Sequence, residues 1–289
     1  MNQTRLAYFY TFPALIIMSL VVAYPFVYNI VISFSNMNLM HFRDWWIVGF
    51  RNYLTVFKEN YFWYFLLKNI LWTGINVFFH VVIGVFLALL LNRELKGKSI
   101  FRTLLILPWA VPQYITALTW RGMFNTEYGA VNLILNQLFG ITIPLNTEWG
   151  AFTACLVTNI WLGFPFMMII ALGGLQSIPR ALYEAAEMDG ASWGHQFRHI
   201  TIPLIKPVMI PAITLGVIWT FNNFNVIWLV SNGGEPSDKT HLLVSWVYKA
   251  GFTYFRIGYA AAFSMIIFLI LFIFSWNFIK KTRATEAVY

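Results

Sequence analysis

Residues 184–203 read EAAEMDGASWGHQFRHITIP, a polar and charged stretch between two long apolar segments. In a 289-residue chain that is 59% hydrophobic and 10% charged, such a stretch is too costly to leave in a bilayer, so it is expected as a solvent-exposed loop between membrane helices. Ala181, Leu182, Ala185, Ala186 and Met188 follow helical spacing after Pro179, a residue tolerated in a first helical turn. Asp189-Gly190 supplies a stop, because glycine accepts the left-handed backbone that ends helices. A second helical stretch starts at Ser192 and leads to Pro203. The stretch therefore reads as a short helix, a glycine corner and a second helix at the membrane surface.

Working outward, an 18–20-residue apolar run is long enough to cross a bilayer. Six runs are expected to span: residues 6–34, 69–92, 103–120, 150–175, 207–230 and 257–279. Pro13, Pro25, Pro108 and Pro112 should kink or break the first and third. The first run is longer than a signal-peptide core and has no small-residue cleavage site at its end, so it reads as a retained helix. With the N-terminus in the cytoplasm, Arg5, Arg93, Lys96, Lys98, Arg102, Arg180, Arg198, Lys206, Lys280, Lys281 and Arg283 fall inside. They are the larger share of the 19 basic residues, which predicts both termini and residues 177–204 on the cytoplasmic side. Membrane orientation thus accounts for a net charge of +8 that would suggest nucleic acid in a soluble protein. Residues 35–68, 121–149 and 231–256 are expected outside, with Trp45, Trp46, Trp63, Tyr64, Trp120, Trp149 and Trp246 as interfacial anchors or, alternatively, contacts for a partner protein.

Covalent chemistry finds little support. Gly97-Lys98-Ser99 looks like the end of a phosphate-binding loop, but Asn92 stands where the pattern needs glycine and an apolar helix precedes it. No nucleotide-hydrolysis site is expected, so ATP-driven work would need another subunit. The lone Cys155 lies in an apolar run and reads as packing. His195 and His199 have the i, i+4 spacing of a metal pair without a third ligand nearby, and read as a solvated helix face. His80, at bilayer depth, reads as an interhelical hydrogen bond. No metal and no cofactor is expected.

The fifth run holds Thr220, Asn222, Asn223 and Asn225 among Trp219, Phe221 and Phe224. Amides at bilayer depth belong in a bundle interior or a water-filled cavity. Amide plus ring suits a sugar, whose hydroxyls take hydrogen bonds while its C–H face packs on an aromatic; polar adhesion between helices explains the same residues. In the fourth run Asn159, Trp161, Gly163, Pro165 and Phe166 allow either a polar opening in a helix wall or a packing kink.

The spacing of Glu184-Ala185-Ala186, Asp189-Gly190-Ala191, Phe197, Ile200 and Pro203 resembles the EAA loop of ABC-importer permease subunits. ILPWAVP at 106–112, the spacing of Trp120, Phe124, Gly129 and Asn132, FNNFNVIWLVSNGGEP at 221–236, LLVSWVYKAGF at 242–252 and GYAAAFS at 258–264 look like the sugar-importer branch, in particular the larger permease subunit of maltose/maltodextrin systems. The resemblance implies an all-α, six-helix type I importer fold, one transmembrane permease domain over 1–289, with Glu184, Ala185, Ala186, Asp189 and Gly190 in a coupling helix that docks on an ATPase. It implies substrate contacts at Leu162, Gly163, Phe166, Gly216, Trp219, Thr220 and Asn223. Gly216 and Thr220 depart from the family pattern, which has a small hydroxyl and an amide there. The implied partners are a second homologous permease in a heterodimer, two cytoplasmic ATPase subunits and an extracytoplasmic sugar-binding protein. The implied cargo is a malto-oligosaccharide or a related oligosaccharide. Another di- or oligosaccharide, glycerol-phosphate, or an ion-coupled carrier are the alternatives.

Overall fold

A computed structural model describes residues 3–94 and 96–282; Arg283, one of the charges expected inside, lies outside them. All regular structure among these residues is helical, apart from a single bridge between Ser35 and Ile47. In order, the helices are α1 (Gln3–Met18), α2 (Tyr24–Ser33), α3 (Arg51–Lys58), α4 (Asn60–Asn92), α5 (Lys98–Ala110), α6 (Gln113–Met123), α7 (Ala130–Phe139), α8 (Glu148–Gln176), α9 (Arg180–Met188), α10 (Trp193–Gln196), α11 (Ile202–Phe221), α12 (Asn225–Val230), α13 (Leu243–Tyr248) and α14 (Ile257–Thr282). Among the described residues, five stretches are long and apolar enough to cross a membrane: Tyr8–Ser33, Asn60–Asn92, Glu148–Gln176, Trp193–Val230 and Ile257–Phe278.

The third expected run is present as two shorter helices. Val111 and Pro112 are both extended, with ψ of 135° and 131°, because Pro112 has no N–H to give and its ring keeps the preceding residue out of the helical region. Pro108 is carried inside α5. The first run, expected to kink or break, stays helical throughout. Pro13 sits within α1, and Tyr24 N–H reaches back five residues to Ser19 O in a wide π turn just before Pro25. Ile202 N–H reaches Phe197 O in the same way just before Pro203. In both places the wider turn comes where a proline interrupts the ordinary i→i−4 ladder.

Two boundaries also shift. Helix α4 begins at Asn60, not at residue 69, so Lys68 lies within a membrane helix and not in an outer loop. Its side chain is 3% exposed, and its ammonium pairs with Glu148 at 2.9 Å. It also donates to the Lys239 carbonyl and lies over the rings of Trp149 and Phe152, 5.5 and 5.2 Å from their centroids. A buried cation persists only when its charge and its donors are all met in this way. The fifth run is broken at Asn222–Phe224, where the notional single helix becomes α11 and α12.

The chain forms two compact units. One comprises residues 1–64 and 246–270. Here Ile32, Met37 and Ala261 pack with Trp45 and Ile257, and Glu59 accepts from Arg256 Nη2 at 3.0 Å and from the Tyr259 hydroxyl. The other comprises residues 65–245 and 271–289 and is built around α8. Near one end of α8, Met167, Met168, Ala171, Leu172 and Leu175 pack with Ala88 and Leu91 of α4 and with Ile205 and Met209 of α11. Near the other end, Phe152, Ala154 and Cys155 pack with Trp72, Ala117, Phe124 and Val226. Gly84 lets α4 and α8 touch, since a Cβ there would lie 2.7 Å from that of Met167, the small-residue device by which membrane helices approach.

Candidate functional site

Between these two packed regions of α8 lies a cavity of about 650 Å³. Its walls come from both helix breaks, Val111–Pro112 and Asn222–Phe224, facing the middle of α8. Leu162, Gly163, Phe166, Gly216, Trp219, Thr220 and Asn223, the seven positions that the family resemblance implies, all line it. Trp109, Gln113, His80, Asn159 and Asn225 join them. Among the described residues the walls carry no Asp, Glu, Lys or Arg.

The breaks are stabilised from their neighbours. A helix end leaves carbonyls without intrahelical partners, and α4 supplies donors to those of α11: Trp72 Nε1 to Thr220 O at 2.9 Å and Asn69 Nδ2 to Phe221 O at 3.2 Å. Asn69 Oδ1 in turn accepts from Leu243 N, where α13 begins. Across the cavity, Asn225 Nδ2 donates to Gln113 Oε1 at 3.0 Å and ties one break to the other.

The amides divide their work. Asn223 accepts from Val226 N at 3.1 Å and donates to Asn159 Oδ1 at 2.8 Å. That fixes Asn159 with its Nδ2 as a buried donor that has no protein partner, on the cavity wall. Asn222 turns back to Ile218 O. Asn223, implied by resemblance as a contact, thus also orients Asn159. Gly163 admits His80: a Cβ at position 163 would stand 2.2 Å from the imidazole, whose Nε2 is 2.9 Å from Asn159 O. Gly216 admits the terminal methyl of Met167 in the same manner, at 2.5 Å.

The aromatic side of the cavity is a row of rings. Phe166 and Trp219 have centroids 5.2 Å apart, and Trp109 is 6.2 Å from Phe166. Trp219 and Trp109 are each 54% exposed. The resemblance does not point to Trp109 and Gln113; their signal in the sequence is their place beside Pro108 and Pro112, where a helix must open.

The polar stretch at residues 184–203 forms a second feature. In α9 no residue is buried. Glu184, Ala185, Asp189 and Gly190 are exposed, and Ala186 is partly so. Pro179 stands just before the helix as its cap residue, not inside the first turn. Gly190 has φ +77°, and Ala191 N–H closes the corner on Ala186 O at 2.9 Å. Ser192 Oγ caps the next helix through His195 N, and the Tyr183 hydroxyl meets Thr201 Oγ1 at 2.9 Å, fastening α9 to the helix that follows.

Residues 80–282 match the family described as binding-protein-dependent transport system inner membrane component. The chain belongs to this family. It is a multi-pass inner-membrane permease of the ABC-importer type. Relatives include the galactooligosaccharide permease protein of Bacillus subtilis, 36% identical over 94% of this chain and 69% of that one. The maltodextrin permease protein of the same organism is 34% identical over 96% and 69%, and the trehalose/maltose permease protein of Thermococcus litoralis is 37% identical over 82% and 80%. A crystal structure of a bacterial ABC transporter involved in import of the acidic polysaccharide alginate superposes with a TM-score of 0.84, at 21% identity, over 99% of this permease and 98% of that chain. That likeness establishes the type I permease fold.

Proposed function

We propose that this permease passes a neutral oligosaccharide, a malto-oligosaccharide or a close relative, through the cavity between the two helix breaks. The observation that carries the reading is an aromatic row, Trp109–Phe166–Trp219, lining the same cavity as a set of amides in which Asn159 Nδ2 has no protein partner. Rings take the C–H faces of pyranoses, and an unengaged buried amide donor takes a hydroxyl. The relatives named for galactooligosaccharides, maltodextrin and trehalose/maltose point to the same class. A wall without fixed charge disfavours glycerol-phosphate, whose dianion would be desolvated there without a partner, and offers an ion-coupled carrier no acidic group.

In this reading residues 1–289 act as one permease domain with both termini in the cytoplasm. ATP is hydrolysed on two separate cytoplasmic subunits. The loop at 177–204 docks through Glu184, Ala185, Ala186, Asp189 and Gly190, and ATPase closure moves α9 as a lever. A second, homologous permease completes the pathway, and an extracytoplasmic binding protein delivers the sugar. Each ligand drives the outward-open state only through its tighter binding to that state. Uptake of labelled maltodextrins and galactooligosaccharides by vesicles holding the assembled transporter tests the cargo. Accumulation of neither, with an acidic or phosphorylated solute taken up in its place, contradicts it.

A further inference from the structure

A second cavity, of about 970 Å³, opens behind α9 where α4 and α8 end. Its floor is apolar, with Leu89, Leu175 and Ile178, and its rim carries Arg93, Lys96, Lys98 and Arg180 against Glu94 and Glu187. Glu94 is engaged by Arg180 at 3.7 Å in a pair that is 91% and 85% exposed, a geometry that contributes little. Arg93, Lys96 and Lys98 form no ion pair among the described residues.

Helix dipoles account for part of this rim and conflict with the rest. Arg93 follows the C-terminus of α4, where a cation is favoured. Lys98 and Arg180 are the first residues of α5 and α9, where the dipole disfavours a cation and favours an anion. Two helix N-termini and several cations on one rim share a preference for the same occupant. Beyond the rim, α5 leaves Ile100, Phe101 and Leu104 exposed at 66, 55 and 58%, an apolar face on the same helix that carries Lys98. Basic rim over apolar floor, at the ends of membrane helices, is the arrangement that holds an acidic headgroup.

We propose that this cavity binds a phosphate-bearing anion, with the headgroup of an acidic phospholipid as the favoured source and its acyl chains lying along Ile100, Phe101 and Leu104. The inference rests on the fold and is independent of the sugar reading. An occupant here would lie against α9, the element assigned above to ATPase docking.

The full-length chain in detergent, probed by native mass spectrometry with phosphatidylglycerol and phosphatidylcholine, tests it. Retention of phosphatidylglycerol should exceed that of phosphatidylcholine by about a hundredfold, since three basic residues near a headgroup contribute roughly 1 kcal/mol each. Arg93→Gln, Lys96→Gln and Lys98→Gln together should abolish the preference. Arg102→Gln, Arg198→Gln and Lys206→Gln together, which remove equal charge outside the cavity, should leave it. Displacement of the lipid by soluble glycerol phosphate would assign a free anion as the occupant; resistance to it would assign the lipid. No preference in the unaltered chain, its survival in the first variant, or equal loss in the second overturns the proposal. So does a lipid retained by the chain alone but expelled when the ATPase subunits assemble, which would make this surface part of their docking site.

Discussion

The imidazole of His80 occupies the space that a side chain at Gly163 would need: a Cβ there would stand 2.2 Å from the ring, which is itself held to the carbonyl of Asn159 at 2.9 Å. Ring, carbonyl and missing methyl form one contact between α4 and α8 at the edge of the cavity. Gly163→Ala should therefore force the ring out and cost about 1–3 kcal/mol, read as a lower midpoint in thermal unfolding of the purified chain. Adding His80→Ala should recover part of that loss, because the two changes share one space. Strictly additive losses would separate the two residues.

The Lys68–Glu148 pair gives the opposite kind of prediction. Lys68→Met leaves a half-buried carboxylate without its cation and should cost about 3–5 kcal/mol, as lone removal of one partner from a buried pair does. Lys68→Met with Glu148→Leu should recover most of it. Thermal unfolding of the two single variants and the double closes the cycle; a double variant as weak as Lys68→Met alone would mean the cation acts mainly through Lys239 and the rings.

Gly190 turns the loop between α9 and α10 with φ +77° and has no neighbouring atom to clash with, so only its backbone is at stake. Gly190→Ala should strain the corner by about 1 kcal/mol, while Gly190→Asn should be milder because asparagine tolerates the left-handed region. Binding-protein-stimulated ATP hydrolysis should fall in that order, most in Gly190→Pro. Unchanged transport by Gly190→Pro would remove α9 from the coupling path.

Much of this architecture can be read in the chain, for physical reasons that also set the limits. Bilayer thickness makes residues 150–175 and 257–279 unmistakable, and α8 and α14 follow them closely. Pro112 declares its break because it alters both its own backbone and that of Val111. The break at Asn222–Phe224 is not declared: no proline marks it, and it is held open by Trp72 and Asn69, more than a hundred residues away. Lys68 misleads for the same reason, since only the fold brings Glu148 and the Lys239 carbonyl to it. The cavity positions carried by family resemblance do converge, yet the roles of Gly163 and Gly216 lie in admitting His80 and Met167, neighbours that local sequence cannot supply.

The capping of the fifth-run break can be tested on its own. Trp72→Phe keeps the ring and removes the indole N–H from Thr220 O, and should cost about 1 kcal/mol. Asn69→Leu removes both a donor to Phe221 O and an acceptor for Leu243 N, and should cost more. Hydrogen exchange of the amides of residues 222–228 should quicken in both variants; unaltered exchange would show that the break is held by α8 instead.

The proposed path takes sugar through the cavity walled by Phe166, Trp219 and Asn159. It is tested most directly by measuring oligosaccharide uptake and ATP hydrolysis in the same vesicles of assembled transporter, unaltered and with Trp219→Ala or Asn159→Ala. Loss of a stacking ring or of a buried amide donor costs about 1–3 kcal/mol, about ten- to a hundredfold in affinity. Sugar moved per ATP hydrolysed should therefore fall by about tenfold or more in each variant, with the complex still assembled. Uptake of every tested sugar at the unaltered ratio in both variants would contradict the account.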